Sequence, residues 1–322
     1  MILNIVLLVI GFIILIKGAD YFVDGASSLA RTFKLSAMFI GLTIVSFGTS
    51  APEFAVSVQS MFNGSGDIVL GNVIGSNILN ILLIAGISAM VHTLNVKNNT
   101  VKKEIPIMML VTIILSVLTC DKLFGAENNN FSFQDGIILT IVFGIFIYYL
   151  ISMMRNKKEE EDDIKKFSLP KTLIFIVLGL AGIILGSNFV VRGASAIAAE
   201  MGVSERMIAL TIVALGTSLP ELVTSITATK KGEYDIAIGN VVGSNIFNIG
   251  IVLGIPAVIF GGVGDVTVNF VDIGIMLLSA VLLFVFAMKD KKLSKWEGFT
   301  MFLVFVGYYG YVIASGIGAI GA

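Results

Sequence analysis

Two glutamates, Glu53 and Glu221, sit in the middle of long apolar runs, and each ends the same six-residue motif: GTSAPE at 48–53 and GTSLPE at 216–221. A carboxylate at membrane depth costs at least about 2.5–3.5 kcal/mol even on insertion scales, so its default reading is a functional site. Neither run holds a Lys or Arg that would neutralise it. The nearest basic residue inside an apolar stretch is Lys17, which has Asp20 as its own i+3 neighbour. On a helix, Thr49, Ser50 and Glu53 stack on one face, and Thr217, Ser218 and Glu221 repeat that face. Pro52 and Pro220 remove a backbone donor and clash with the carbonyls four residues back, those of Gly48 and Gly216. Both helices are therefore expected to break there, freeing carbonyl oxygens around Ser46, Phe47, Ala214 and Leu215. A bilayer tolerates freed carbonyls only where they line a cavity or bind something.

A second pair of segments adds amides and hydroxyls: GNVIGSNILN at 71–80 and GNVVGSNIFN at 239–248. Ser76 and Asn80 share a helix face at i, i+4, as do Ser244 and Asn248, and these four are expected to act as ligands. Asn77 and Asn245 fit either ligand duty or packing. Gly71, Gly75, Gly239 and Gly243, with Asn72 and Asn240, are expected to serve helix packing and hydrogen bonding between helices. Every good donor in this set is an oxygen, which is the preference of hard cations. Two carboxylates balance one Ca2+, or serve singly charged ions in turn, and one oxygen cage admits both Na+ and Ca2+. His92 and Cys120 lie at segment ends and read as filler, so zinc, copper and a disulfide framework have no basis.

These residues belong to a chain that repeats itself. Residues 41–60 and 209–228 are identical at ten of twenty positions, and the second pair at eight of ten, both at an offset of 168. The 322 residues are 56% hydrophobic and 13% charged, against about a quarter charged in soluble domains, so the chain belongs in lipid. Ten apolar segments are long enough to span or nearly so: 2–23, 37–62, 68–91, 105–120, 133–154, 169–191, 207–229, 236–260, 268–288 and 296–318. The first reads as a retained helix, since it lacks a basic leader and a small-residue cleavage site. Alternate loops carry 17 of the 21 Lys and Arg residues. The positive-inside rule then puts those loops in the cytoplasm and both termini outside.

A repeat of five helices forces equivalent helices to cross in opposite directions. The expected fold is thus all-α and polytopic, with ten transmembrane helices in two inverted-topology repeats, residues 1–154 and 169–322, joined by a charged cytoplasmic linker at 155–168. Such repeats typify secondary transporters with a midplane site. The acidic cluster Glu159 to Asp163 lacks the glycine turn and alternating ligands of an EF-hand, and reads as solvated linker. A net charge of −1 gives no case for nucleic acid. The core offers no nucleophile or metal-binding histidine for a hydrolase, so no enzyme and no cofactor are expected. A channel fits the ligand chemistry, but inverted repeats with broken helices favour alternating access.

At GTSAPE, GTSLPE, GNVIGSNILN and GNVVGSNIFN the sequence resembles the α-repeats of the calcium/cation antiporter superfamily, in particular the prokaryotic sodium/calcium exchangers. The resemblance covers the whole ten-helix plan. It implies electrogenic exchange of Na+ for Ca2+ by alternating access, with helices one and six sliding across the other eight. It implies Glu53 and Glu221 as shared ligands, and carbonyls of Thr49 and Thr217 for Ca2+. Ser50, Ser76, Ser218, Ser244 and the carbonyls of Ser46 and Ala214 would serve Na+, and Asn80 and Asn248 complete the centre. The position of Asn248 is an aspartate in some relatives, including those that co-transport K+, so the amide here argues against K+ dependence. The alternative is a H+/Ca2+ antiporter, because two carboxylates in a low-dielectric site carry protons as readily as sodium; the paired serine hydroxyls favour Na+. A plasma-membrane location in a prokaryote is expected. A monomer is expected to suffice for transport, and the sequence leaves the oligomeric state open.

Overall fold

The computed structural model describes residues 1–155, 167–203 and 208–316. Most of the charged linker, with Glu159 to Asp163, and Arg206 lie outside the described residues. Apolar sequence without strand alternation folds as helices: α1 (Ile2–Thr32), α2 (Ala37–Thr49 as α2a and Ala51–Phe62 as α2b), α3 (Gly66–Val91), α4 (Ile105–Leu118) and α5 (Phe133–Arg155). After the linker come α6 (Leu169–Glu200), α7 (Thr211–Thr217 as α7a and Leu219–Lys230 as α7b), α8 (Tyr234–Phe260), α9 (Phe270–Asp290) and α10 (Lys295–Gly316). Among the described residues, seven helices are long and apolar enough to cross a membrane, or nine if each bent pair counts as one. The fourth expected segment, 105–120, is the shortfall. Its α-helix has 14 residues, about 21 Å, and the π turn that precedes it (Thr100–Glu104) carries Lys102, Lys103 and Glu104.

Helices α1 and α6 run well past the apolar stretches that announced them. They have 31 and 32 residues, because small buried residues (Gly25, Ala26, Ser27 and Ser28 in α1) continue the packing beyond the oily part. The two are equivalent in the repeat and lie antiparallel, joined along glycines spaced by seven. A Cβ on Gly18 would sit 2.6 Å from the Ile183 nitrogen, one on Gly179 2.5 Å from the Phe22 nitrogen, and one on Gly186 2.4 Å from the Leu15 nitrogen. Only glycine lets two backbones approach this closely. The ends agree: the Met1 amino group pairs with Glu200 at 2.7 Å.

Polar contacts define two faces. At one, Arg31 pairs with Glu233 at 2.8 Å, Lys231 with Asp24 at 2.6 Å and Lys97 with Asp235 at 2.9 Å. Strands β1 (Leu94–Asn95) and β4 (Lys292–Leu293), unannounced by the sequence, pair there antiparallel. At the other face, β2 (Asn130–Ser132) pairs with β3 (Gly262–Asp265), and Phe62 at the end of α2b packs edge-on against Phe260 at the end of α8. The outer helix pairs are tied by a matching device: Tyr149 of α5 donates to Glu104, which is fully buried just ahead of α4, and Tyr308 of α10 donates to Asp272 at the start of α9 at 3.1 Å. Glu104 and Asp272 are themselves 168 residues apart.

The glycine seam makes a direct prediction. Gly186→Ala should cost about 1–3 kcal/mol of stability through overpacking, read as a lowered melting temperature of the detergent-solubilised protein. Gly144→Ala, where a Cβ meets nothing within 4 Å, should cost nothing. Equal melting of the two variants would contradict the seam.

Candidate ion-binding site

Helices α2 and α7 bring the two carboxylates to the centre. Both bend at the serine two residues before the proline, by 46° at Ser50 and 55° at Ser218. Pro52 and Pro220 then fall in the first turn of α2b and α7b, where a missing N–H is tolerated. Glu53 and Glu221 share that first turn, so each sits at a helix N-terminus, whose partial positive charge favours an anion. A π turn precedes each bend, Gly41–Val45 and Ala209–Val213. Two more, Leu79–Ala85 and Asn248–Leu253, begin at the asparagines of α3 and α8. Such turns interrupt helix hydrogen bonding and recur at functional sites.

The halves reach across to each other. Ser50 Oγ donates to Glu221 Oε1 at 3.0 Å, and Ser218 Oγ donates to Glu53 Oε1 at 3.2 Å. Ser218 also meets Ser76 at 3.4 Å, whereas Ser244 turns to Asn240 Oδ1 at 3.5 Å. Asn80 Nδ2 donates to Asn245 Oδ1 at 3.2 Å and Asn248 Nδ2 to Asn77 Oδ1 at 3.3 Å. Among these residues four buried oxygens have no hydrogen-bond donor, Glu53 Oε2, Glu221 Oε2, Asn80 Oδ1 and Asn248 Oδ1, and one buried nitrogen, Asn77 Nδ2, has no acceptor. Both glutamates are 1% exposed, and no ion pair among the described residues includes either of them.

Asn72 and Asn240 hold the carboxylate helices by their backbones: each donates to a glutamate carbonyl, Glu53 O and Glu221 O, at 3.3 Å. The same amides reach Ser57 at 3.3 Å and Ser225 at 2.9 Å. The sequence reading passed over these two serines, although they are identical residues at the repeat offset. It also passed over Met108, whose sulfur faces the Asn245 amide at 3.4 Å, and Tyr309, whose hydroxyl holds the Thr211 carbonyl of the π turn in α7 at 3.1 Å. The Ser46 carbonyl is less free than expected. It accepts the Ser50 N–H at 3.0 Å and Thr49 Oγ1 at 3.3 Å, while Ala214 O accepts Thr217 Oγ1 at 3.3 Å.

The two halves differ in packing. Gly239 and Gly243 of α8 pack against α2a, where a Cβ would lie 3.0 Å from Gly41 Cα and 2.6 Å from Ser46 Oγ, and Ser46 and Thr49 are fully buried. At the equivalent Gly71 and Gly75 of α3 a Cβ meets nothing within 4 Å, Ala214 is exposed and Thr217 half-buried. The expected packing role therefore holds for one glycine pair and not for the other. The open pair lies toward the face without the Arg31 and Lys231 ion pairs. Toward that charged face, an apolar cavity of about 100 Å³ touches Ser218 and is lined by Leu79, Leu83, Ile84, Leu215, Leu219 and Leu222, which offer a cation no ligand.

This arrangement has close counterparts. The chain is 37% identical to inner membrane protein YrbG of Escherichia coli (strain K12) over 88% of each. It is 29% identical to sodium/calcium exchanger MaX1 of Methanosarcina acetivorans, over 95% of this chain and 97% of that one. A solved structure of the sodium-calcium exchanger NCX_Mj, soaked with Na+ and Sr2+, superposes with a TM-score of 0.83 at 32% identity, covering 96% of this chain and 98% of its own. The family model described as "Sodium/calcium exchanger protein" matches residues 3–152 and 171–314. This multi-pass membrane protein belongs to the sodium/calcium exchanger family.

Proposed function

We propose that the chain exchanges Na+ for Ca2+ across the membrane by alternating access, with Glu53 and Glu221 as the shared ligands. The observation that carries the reading is the set of four buried oxygens with no donor. An unpaired buried polar atom costs about 1–3 kcal/mol, and more when charged. Four of them, from two pairs of repeat-related residues, are supported by one occupant: a cation. Two carboxylates match the charge of Ca2+, which takes six to eight oxygens. The carbonyls of Thr49 and Thr217 would add to the Ca2+ shell. The hydroxyls of Ser50, Ser76, Ser218 and Ser244, with the carbonyls of Ser46 and Ala214, would hold Na+ to either side. The Ser46 carbonyl already accepts two hydrogen bonds, so it would join this set once Thr49 Oγ1 gives up its 3.3 Å bond and keeps Val45 O at 3.0 Å and Asn240 Oδ1 at 3.1 Å.

On this reading the chain crosses the bilayer ten times, α4 with its preceding π turn being the short crossing. Repeats 1–154 and 169–322 then have inverted topology, joined by the linker at 155–168. The antiparallel lie of α1 and α6 supports that arrangement. The Arg31 and Lys231 face is cytoplasmic and both termini are outside, by the positive-inside rule. The plasma membrane is the expected location, and one chain holds the whole site. The unequal packing described above supports alternating access over a channel: glycine pairs loose at Gly71 and Gly75 and tight at Gly239 and Gly243, about a buried site, fit one of two states that an inverted repeat would interconvert. The named activities of MaX1 and NCX_Mj support the same reading.

Three outcomes are expected. Proteoliposomes loaded with Na+ should take up radioactive Ca2+, and those loaded with K+ or choline should not; uptake driven by a pH gradient alone would make the two glutamates proton carriers instead. Glu53→Gln and Glu221→Gln should abolish uptake while eluting normally in size exclusion, and normal uptake by either would defeat the assignment. In Ca2+-free buffer these variants should melt at or above the wild type, since each loses a buried charge. Ca2+ at a hundred times its Kd should stabilise the wild type by about 2.7 kcal/mol and the variants hardly at all.

A further inference from the structure

We propose that Ser187 is a positioning residue for the second half of the ion site: from α6 it holds open the break in α7 that places Thr217 and Ser218. The inference rests on the ion-site reading above. Pro220 has no N–H, so the Gly216 carbonyl loses the donor that a continuous helix would give it. Ser187 Oγ supplies one from outside the helix, at 2.9 Å. The contact is built rather than incidental. Ser187 is 6% exposed, and α6 comes so near that a Cβ on Gly216 would lie 2.2 Å from Val191 Cγ2.

The repeat provides an internal control. The residue equivalent to Ser187 is Ala19, fully buried in α1 and without a donor, while Pro52 and Gly48 stand where Pro220 and Gly216 do. The half with the hydroxyl is the more sharply bent, 55° against 46°. The carbonyl it holds is flanked by site residues: Thr217 follows it, and Ser218, next along, is the one whose hydroxyl reaches both Glu53 and Ser76. The bond also joins two separate elements. It exists only while α6 sits where it does, so the position of α6 and the geometry of the Thr217–Ser218 ligands are coupled through one buried donor. In the first half no side chain at position 19 can do this, and the two hinges do not respond alike to a movement of their neighbouring long helix.

The test is Ca2+ binding by calorimetry on the whole detergent-solubilised protein, which does not depend on the counter-ion. Ser187→Ala and Ser187→Val should each raise the Kd about five-fold, the equivalent of one buried hydrogen bond worth about 1 kcal/mol. Ser187→Thr, which has the shape of the valine variant and keeps the hydroxyl, should stay within about two-fold of the wild type. An unchanged Kd for Ser187→Ala would overturn the inference. So would equal shifts for the Thr and Val variants, which would assign the effect to shape. A lowered melting temperature with an unchanged Kd would reduce Ser187 to a structural residue and overturn it as well. A wild type that binds no Ca2+ would defeat the ion-site reading and this inference with it, whereas binding by the wild type and equally by Ser187→Ala defeats this inference alone.

Discussion

Two carboxylates buried at 1% exposure, with no basic side chain among the described residues paired to them, set the terms for the rest of this molecule. Removing a carboxylate from water costs several kcal/mol after relaxation, and here two are brought together. The fold offsets that cost in stages. Helix N-termini point at both glutamates because proline breaks α2 and α7 just before them. Ser50 and Ser218 donate across the centre, each to the opposite glutamate. Asn72 and Asn240 hold the glutamate backbone carbonyls and so fix where the two side chains start. None of these supplies a full positive charge. The arrangement lowers the cost of the two carboxylates without cancelling it, as the proposed binding and release of a cation would require.

A duplicated sequence does not give a symmetric molecule. The motifs repeat closely, yet Gly239 and Gly243 are packed and Gly71 and Gly75 stand open, Ser76 meets Ser218 while Ser244 turns to Asn240, and Ser187 has only Ala19 opposite it. Some of these differences lie in the residues. Others arise with identical residues, as at the two glycine pairs, and so belong to the conformation. On the proposed inverted topology, what differs without a difference in sequence is what the two halves would exchange.

Much of the site was legible in the sequence because its physics is local. A proline four residues after a glycine carbonyl breaks a helix wherever it sits, and the bends fall at Ser50 and Ser218. Spacing placed Ser76 with Asn80 and Ser244 with Asn248 without any tertiary information. The remainder was not legible because it depends on what packs against what. The apolar window that ended α1 near residue 23 and α6 near 191 could not see that small residues continue both helices to Thr32 and Glu200. Ser57 and Ser225 look like ordinary helix-face serines until Asn72 and Asn240 reach them. Glu104 follows Lys102 and Lys103 in a charged run, yet it is fully buried and accepts from Tyr149. Ser187 is an unremarkable residue in an oily helix; its partner is a carbonyl that only the fold brings near.

The same charge arithmetic bears on why the proposed activity is exchange rather than leak. To cross from one side to the other, the site must close, and closing excludes water that would otherwise solvate Glu53 and Glu221. With a cation load bound, the carboxylates are neutralised and the four donorless oxygens are occupied. With nothing bound, two like charges would face each other in a low-dielectric enclosure, where their repulsion is strongest. The empty carrier is thus the state least able to close. A molecule built this way returns loaded, and what it returns with must satisfy the same oxygens. On the proposed reading the serine hydroxyls and the carbonyls of Ser46 and Ala214 would flank the carboxylates as ligands for a singly charged metal ion, a need that a proton would not have.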